Sequence, residues 1–180
     1  IGVLTNPGWS TDDVIKEIAR VQELLGKVKF TGKMTEEENL HLTLKFLGEI
    51  DYVKIEEVKK RLNEIKFDKM KLKLGKIGTF SVHGNPNIVW IKLEGKDIYD
   101  LQKKIDSALD GLFNVEERFM GHLTIARMKY VKDKKGFLEH IAGIHVKPIE
   151  LEISEFKLKK SELNALGPVY ADIESVKSDK

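Results

Sequence analysis

Cysteine is absent from this chain, which removes disulfides, thiolate nucleophiles and cysteine-built zinc or iron–sulfur sites together. Proline occupies 4 positions, and no run approaches the roughly 18 apolar residues of a membrane span. No apolar stretch follows a basic start as in a secretory signal. The expectation is a cytoplasmic protein with no membrane partner. An excess of charge of one sign is also missing: 31 Lys and Arg offset 29 Asp and Glu, leaving a formal net charge of +2. Without a global basic field, any contact with nucleic acid has to come from a local groove. There is no glycine-rich phosphate loop and no strict alternation of strand and helix, which argues against a doubly wound nucleotide fold.

What is present is a globular composition, 41% hydrophobic and 33% charged over 180 residues, sufficient for one domain made of two small fused lobes. Residues Ile1 to Leu4 read as a strand. After the turn Asn6-Pro7-Gly8, Ser10 or Thr11 is placed to cap a helix with Val14, Ile15, Ile18, Val21, Leu24 and Leu25 on one face, ended by Gly26. Strands are predicted at Val28 to Phe30 and Asn39 to Leu47, then a helix started by Asp51 with Ile55, Val58, Leu62 and Ile65 as its stripe. The second part repeats the style. Strands at Met70 to Ile77 and Ile88 to Leu93 precede a helix carrying Ile98, Leu101, Ile105, Leu109 and Leu112. A strand at Phe119 to Met128, a short helix at Gly136 to Ala142, and strands at Ile149 to Lys159 and Val169 to Val176 follow. The pattern predicts an α+β fold: two lobes in a pseudo-two-fold arrangement, antiparallel sheets flanking a central cleft, helices outside.

One internal echo stands out. His41-Leu42-Thr43-Leu44 recurs 81 positions later as His122-Leu123-Thr124-Ile125. On a strand, residues two apart share a face, so His41 and Thr43 point one way while Leu42 and Leu44 point the other. The same holds for His122 and Thr124. If the two strands flank one cleft, it holds two imidazoles and two hydroxyls. Histidine serves as acid or base near neutrality, so a pair supplies both. Opening a phosphodiester with water needs a base for the water proton and an acid for the departing sugar oxygen. The hydroxyls of Thr43 and Thr124 would bind the non-bridging phosphate oxygens. A single HxT is a commonplace of structural strands; two copies, each flanked by apolar residues at alternating positions, point to catalysis by His41 and His122. A non-catalytic module in which these four residues merely hold a terminal phosphate is the alternative, and a metal-dependent hydrolase is a third reading.

The same residues carry a family resemblance. The run Glu38-Asn39-Leu40-His41-Leu42-Thr43-Leu44-Lys45-Phe46-Leu47-Gly48 resembles the first motif of the two-histidine phosphoesterases, and His122-Leu123-Thr124-Ile125-Ala126-Arg127 resembles the second. The likeness is to the RNA 2′,3′-cyclic phosphodiesterases, also called 2′-5′ RNA ligases. The segment Asn87-Ile88-Val89-Trp90-Ile91 and the tail from Leu158-Lys159-Lys160-Ser161 to Gly167-Pro168-Val169-Tyr170 are similar to archaeal members. The resemblance implies hydrolysis of a 2′,3′-cyclic phosphate to a 2′-phosphate, with no metal and no cofactor. It implies His122 as base and His41 as the acid that protonates O3′. It also implies ATP-independent joining of RNA ends through a 2′-5′ bond, a 5′-hydroxyl replacing water. The expected partner is RNA ending in a cyclic phosphate, tRNA fragments among the candidates, and the expected state is a monomer. Two departures stand out: Gly121 replaces a proline common before the second histidine, where it would loosen the approach to His122, and the opening strand is short.

Beyond the four motif residues, Arg127, Arg118 and Phe46 are the substrate-binding candidates. Arg127 matches the arginine of the family motif, but strict alternation points it away from His122 unless the strand ends or bulges there. Arg118, just before the second motif, is placed to line the cleft, although a solvated arginine is the more usual outcome, and Lys45 has the same ambiguity. Phe46, Phe80, Phe119 and Trp90 suit base stacking, although core packing is the more usual fate of strand aromatics. His83, His140 and His145 show no metal-ligand spacing and are read as incidental, and Lys132 to Lys135 as an exposed stretch.

Overall fold

The computed structural model describes residues 1–5, 12–164 and 167–179. Strand β1 (Gly2–Thr5) leads to helix α1 (Asp12–Leu25), which buries Val14, Ile18, Val21 and Leu25 of the expected stripe and leaves Ile15 and Leu24 partly exposed at its edges. Its expected cap and the preceding turn lie outside the described residues. β2 (Thr31–Met34), a short 3-10 helix (Glu37–Asn39) and β3 (Leu42–Phe46) follow, then α2 (Tyr52–Asn63), β4 (Met70–Val82), β5 (Asn85–Glu94) and α3 (Asp97–Ala108). The chain continues through β6 (His122–Tyr130), α4 (Lys134–Ala142), β7 (Glu150–Ile153), β8 (Glu155–Asn164) and β9 (Gly167–Lys177). Asp51 caps α2 by accepting from the Lys54 amide at 2.8 Å, and Asp133 caps α4 through the Gly136 amide at 3.0 Å.

Besides shifts of a few residues at other ends, three element boundaries differ from the sequence expectation in ways that bear on the site. The strand expected at Val28 to Phe30 begins later, at Thr31. Phe30 instead turns its ring edge-on to Phe137 at 6.0 Å, so this segment anchors α4 rather than pairing. The strand expected from Asn39 starts at Leu42, because residues 37–39 wind into the 3-10 turn. The last long strand is split at Ser154 into β7 and β8, which pair with different neighbours.

Among the described residues the strands form one open antiparallel sheet in the order β7-β4-β5-β6-β3-β1-β8-β9, with β2 also paired to β6. The expected two lobes are its halves. They meet through a single residue pair, Leu42 of β3 opposite Leu123 of β6. Beyond that pair β6 exchanges β3 for β2, whose Met34 lies opposite Ala126. A cleft therefore opens where β3 leaves β6. Leu42, Leu44, Leu123 and Ile125 are buried in one apolar core with Val14 and Ile18 of α1, Val58 and Leu62 of α2, Ile98 and Ile105 of α3 and Phe137 and Ile141 of α4. The helices thus cover the sheet face opposite the histidines. No described helix is long and apolar enough to cross a membrane.

Candidate functional site

The single pair at the centre sets the geometry of the motifs. In antiparallel register, Leu42 opposite Leu123 puts His41 across from Thr124 and Thr43 across from His122. Each histidine of one strand thus faces the threonine of the other, and the two imidazoles lie diagonally across the pair. A recess on one side is lined by His41, Thr124, Arg127, Tyr170 and residues 33–36 and 39. A recess of about 210 Å³ on the other side is lined by Thr43, His122, Phe46, Phe80, Arg118 and Phe119, with Lys45, Glu116 and Met120.

Both rings are held alike. His41 Nδ1 lies 2.7 Å from the Asn39 carbonyl, and His122 Nδ1 lies 2.7 Å from the Met120 carbonyl. A carbonyl only accepts, so each Nδ1 carries a proton and donates, leaving Nε2 to face the cleft as a bare acceptor in the neutral ring. Each ring also meets an aromatic edge: Tyr170 with His41 at 5.0 Å between centroids, Phe80 with His122 at 5.1 Å. Both imidazoles titrate below the ordinary histidine value. Burial is the main cause at each, the carbonyl bond at Nδ1 opposes it, and the positive charge of Arg127 adds to the depression at both. At His41 the charges of Lys159 and His122 add further.

Arg127 reaches the cleft because β6 bulges. Val89 pairs with Ala126 but Trp90 pairs with Thr124, so Ile125 is an extra residue and the alternation resets after it. Ile125 and Ala126 are both buried, and Arg127 emerges on the cleft side. β3 does the same at the equivalent place. Val3 pairs with Lys45 and Leu4 with Thr43, making Leu44 the extra residue; Leu44 and Lys45 are both buried and Phe46 emerges, 73% exposed. The carbonyl of the bulged Ile125 is occupied by the Thr35 amide at 2.9 Å and the Gln22 side chain at 2.9 Å, so the irregularity leaves no orphan there.

The other candidates separate cleanly. Arg118 is exposed and lines the His122-side recess. Lys45 is no solvated cation: it is 4% exposed and paired with Asp106. Trp90 is core, its ring lying over Gly78, and its indole nitrogen has no partner among the described residues. Phe119 packs edge-on against Tyr99 at 5.3 Å. Gly121 does not loosen the approach to His122: it is buried and its carbonyl accepts from the Leu93 amide at 2.8 Å. His140 and His145 line a separate depression beside α1 and α4, His83 sits in the β4–β5 turn, and residues 132–135 are exposed. Tyr170, which the sequence marks only as part of the family-like tail, and the β2 residues beside His41 line the site without any sequence pattern that assigns them to it. Only the long-range pairing of β8 with β9 and of β2 with β6 brings them there, and no local pattern announces it.

The family model described as LigT like phosphoesterase matches residues 10–90 and 92–170, one motif in each segment. Curated proteins named RNA 2′,3′-cyclic phosphodiesterase are similar over most of their length. That of Methanocaldococcus jannaschii is 37% identical over 163 residues, covering 88% of this chain and 91% of the relative. That of Thermotoga maritima is 34% identical over 163 residues, covering 88% and 86%. Among solved structures, a Thermus thermophilus protein superposes with a TM-score of 0.74 at 22% identity, covering 99% of this chain and 98% of the other. E. coli LigT complexed with 3′-AMP superposes with a TM-score of 0.70 at 16% identity, covering 99% and 97%. These two likenesses concern the fold.

Proposed function

Since this chain belongs to the LigT-like phosphoesterase family, we propose that it is an RNA 2′,3′-cyclic phosphodiesterase that opens the cyclic phosphate to a 2′-phosphate by acid–base catalysis from His41 and His122. The observation that carries this is the crossed arrangement at the Leu42–Leu123 pair, with both Nδ1 atoms donating to backbone carbonyls. Water attacks phosphorus as His122 Nε2 takes its proton; the P–O3′ bond breaks, and His41 Nε2, protonated, delivers its proton to O3′. The product carries a 2′-phosphate and a free 3′-hydroxyl. Each histidine is worth about 10² to 10⁴ in rate, or roughly 3 to 5 kcal/mol of barrier. The Thr43 and Thr124 hydroxyls donate to the non-bridging oxygens, where charge accumulates.

Arg127 contributes a cation to the phosphate on the His41 side, and Phe46 offers an exposed ring to a base on the His122 side, with Arg118 at that rim. A 5′-hydroxyl entering in place of water makes a 2′-5′ bond by the same proton movements, with no ATP. Each recess combines residues of both halves, which supports residues 1–180 acting as one domain and as a monomer. RNA ends bearing a cyclic phosphate, including those of cleaved tRNA, are the substrate class. The test is an oligonucleotide with that end incubated in excess EDTA. Conversion to the 2′-phosphate, reduced by about 10² to 10⁴ in His41→Ala and in His122→Ala, is expected. Tight binding without turnover would make the protein an RNA-end-binding module, and activity abolished by EDTA would overturn the metal-free mechanism.

A further inference from the structure

The two bulges place Lys45 and Ala126 at equivalent positions, both turned into the protein, 4% and 0% exposed. Alanine there needs no explanation. A lysine brings a charge that the strand's packing does not require, and burying an ion pair is seldom the most stable solution available. Lys45 Nζ is ion-paired to Asp106 of α3 and donates to the Asn114 carbonyl at 2.6 Å. Asp106 also accepts from the Gln102 side chain at 2.7 Å and from the Glu116 amide at 3.1 Å. Burial by itself would raise the Asp106 pKa, but these donors outweigh it and hold the carboxyl below its ordinary value. A strand of the first half, a helix, and the segment 114–116 of the second half thus converge on one satisfied charge pair.

That segment matters because of where it leads. Residues 114–121 form no helix or strand, yet they end at Met120, whose carbonyl orients His122, and they supply Glu116, Arg118, Phe119 and Met120 to the His122-side recess. The equivalent carbonyl at His41 belongs to Asn39, which is fixed locally by the 3-10 turn through its amide bond to Glu36. The second motif has no such 3-10 helix: residues 117 and 118 only turn, Gly121 is held by the Leu93 amide, and further back the lead-in is tied down at residues 114 and 116 through a residue of the first motif, four positions after His41.

We propose that Lys45 and Asp106 are positioning residues for His122, a clamp reaching from one half of the sheet to the other that keeps the Met120 carbonyl and the recess wall in register with the imidazole. This rests on His122 being catalytic. The test is the double variant Lys45→Met/Asp106→Leu, which replaces the pair by apolar groups of similar size and so leaves no lone buried charge. Expected is a loss of about 10-fold to 10²-fold in kcat, as for a misplaced catalytic group. In ¹⁵N-histidine spectra the His122 Nδ1 signal should move toward a mixture of tautomers while His41 keeps its own. A folded double variant with kcat and His122 signals like the parent overturns the proposal, as does an equal disturbance of both histidines. If the double variant fails to fold, Asp106→Asn takes its place, with a smaller fall in kcat and the same His122-only change expected, and unchanged values contradicting it. Should the parent protein not turn over a cyclic end at all, the proposed function fails, whereas the His122 spectrum still decides the clamp.

Discussion

Strands β3 and β6 agree residue for residue up to the bulge and part company after it. Both present histidine and threonine to the cleft, both anchor Nδ1 two residues upstream, and both insert an extra residue, Leu44 and Ile125. Then Lys45 and Phe46 stand where Ala126 and Arg127 stand. The imidazoles and hydroxyls are alike in the two copies, whereas the residue that emerges after each bulge is an aromatic, Phe46, on one side and a cation, Arg127, on the other. A cleft with equal walls would accept a cyclic phosphate in two orientations; under the proposed mechanism unequal walls would favour one, and so give His41 and His122 different tasks.

Removing the unequal residues tests that division. Arg127→Ala should lower kcat/KM by about 10-fold to 10²-fold, the size of a lost hydrogen bond to a charged group of roughly 1.5 to 3 kcal/mol, with a weaker salt dependence in the variant. Phe46→Ala should cost a comparable or smaller factor, set by base stacking of about 1 to 3 kcal/mol. That loss should depend on base identity and hardly on salt. Steady-state kinetics on uridine and adenosine 2′,3′-cyclic phosphates at two salt concentrations separates the two, and a common dependence would mean the walls do not divide the work as described.

A smaller effect is expected in the pH profile. Turnover needs one imidazole neutral and one protonated, and in the free enzyme both titrate below the ordinary value of about 6.5. The log kcat/KM profile should therefore peak below that pH, with limbs belonging to the pair rather than to either ring. The bound phosphate anion favours imidazolium, so the basic limb of kcat should lie higher. Arg127→Gln removes a charge that depresses both rings and should move the kcat/KM maximum upward, whereas Phe46→Ala should leave it in place. Stability follows the same sign: because the folded-state values are depressed, the contribution of these histidines is full above about 6.5 and is lost as pH falls through the folded values. Thermal melts from pH 8 to pH 5 would check this.

Much of this plan is legible in the sequence, because strand alternation fixes the shared face of His41 and Thr43 and helical spacing fixes the stripes of α1 and α3. Asp51 is readable as a cap for the same local reason. The bulges are not legible. Nothing in Thr43-Leu44-Lys45-Phe46 says that two successive residues turn inward, so Lys45 reads as readily as a surface cation and Phe46 as a core residue. Arg127 stays undecided on the same ground. Tyr170 reaches His41 only through the β8–β9 pairing, and the β2 residues only through pairing to β6; such partners are set by the folded sheet, not by neighbours in the chain.

The central claim is that one phosphate engages both imidazoles. It is tested most directly by titrating ¹⁵N-histidine-labelled protein with a nucleoside 2′-phosphate, the reaction product. The Nε2 signals of His41 and His122 should shift together, with one dissociation constant and a raised pKa for each. A shift at one ring with the other unmoved at saturation would contradict it.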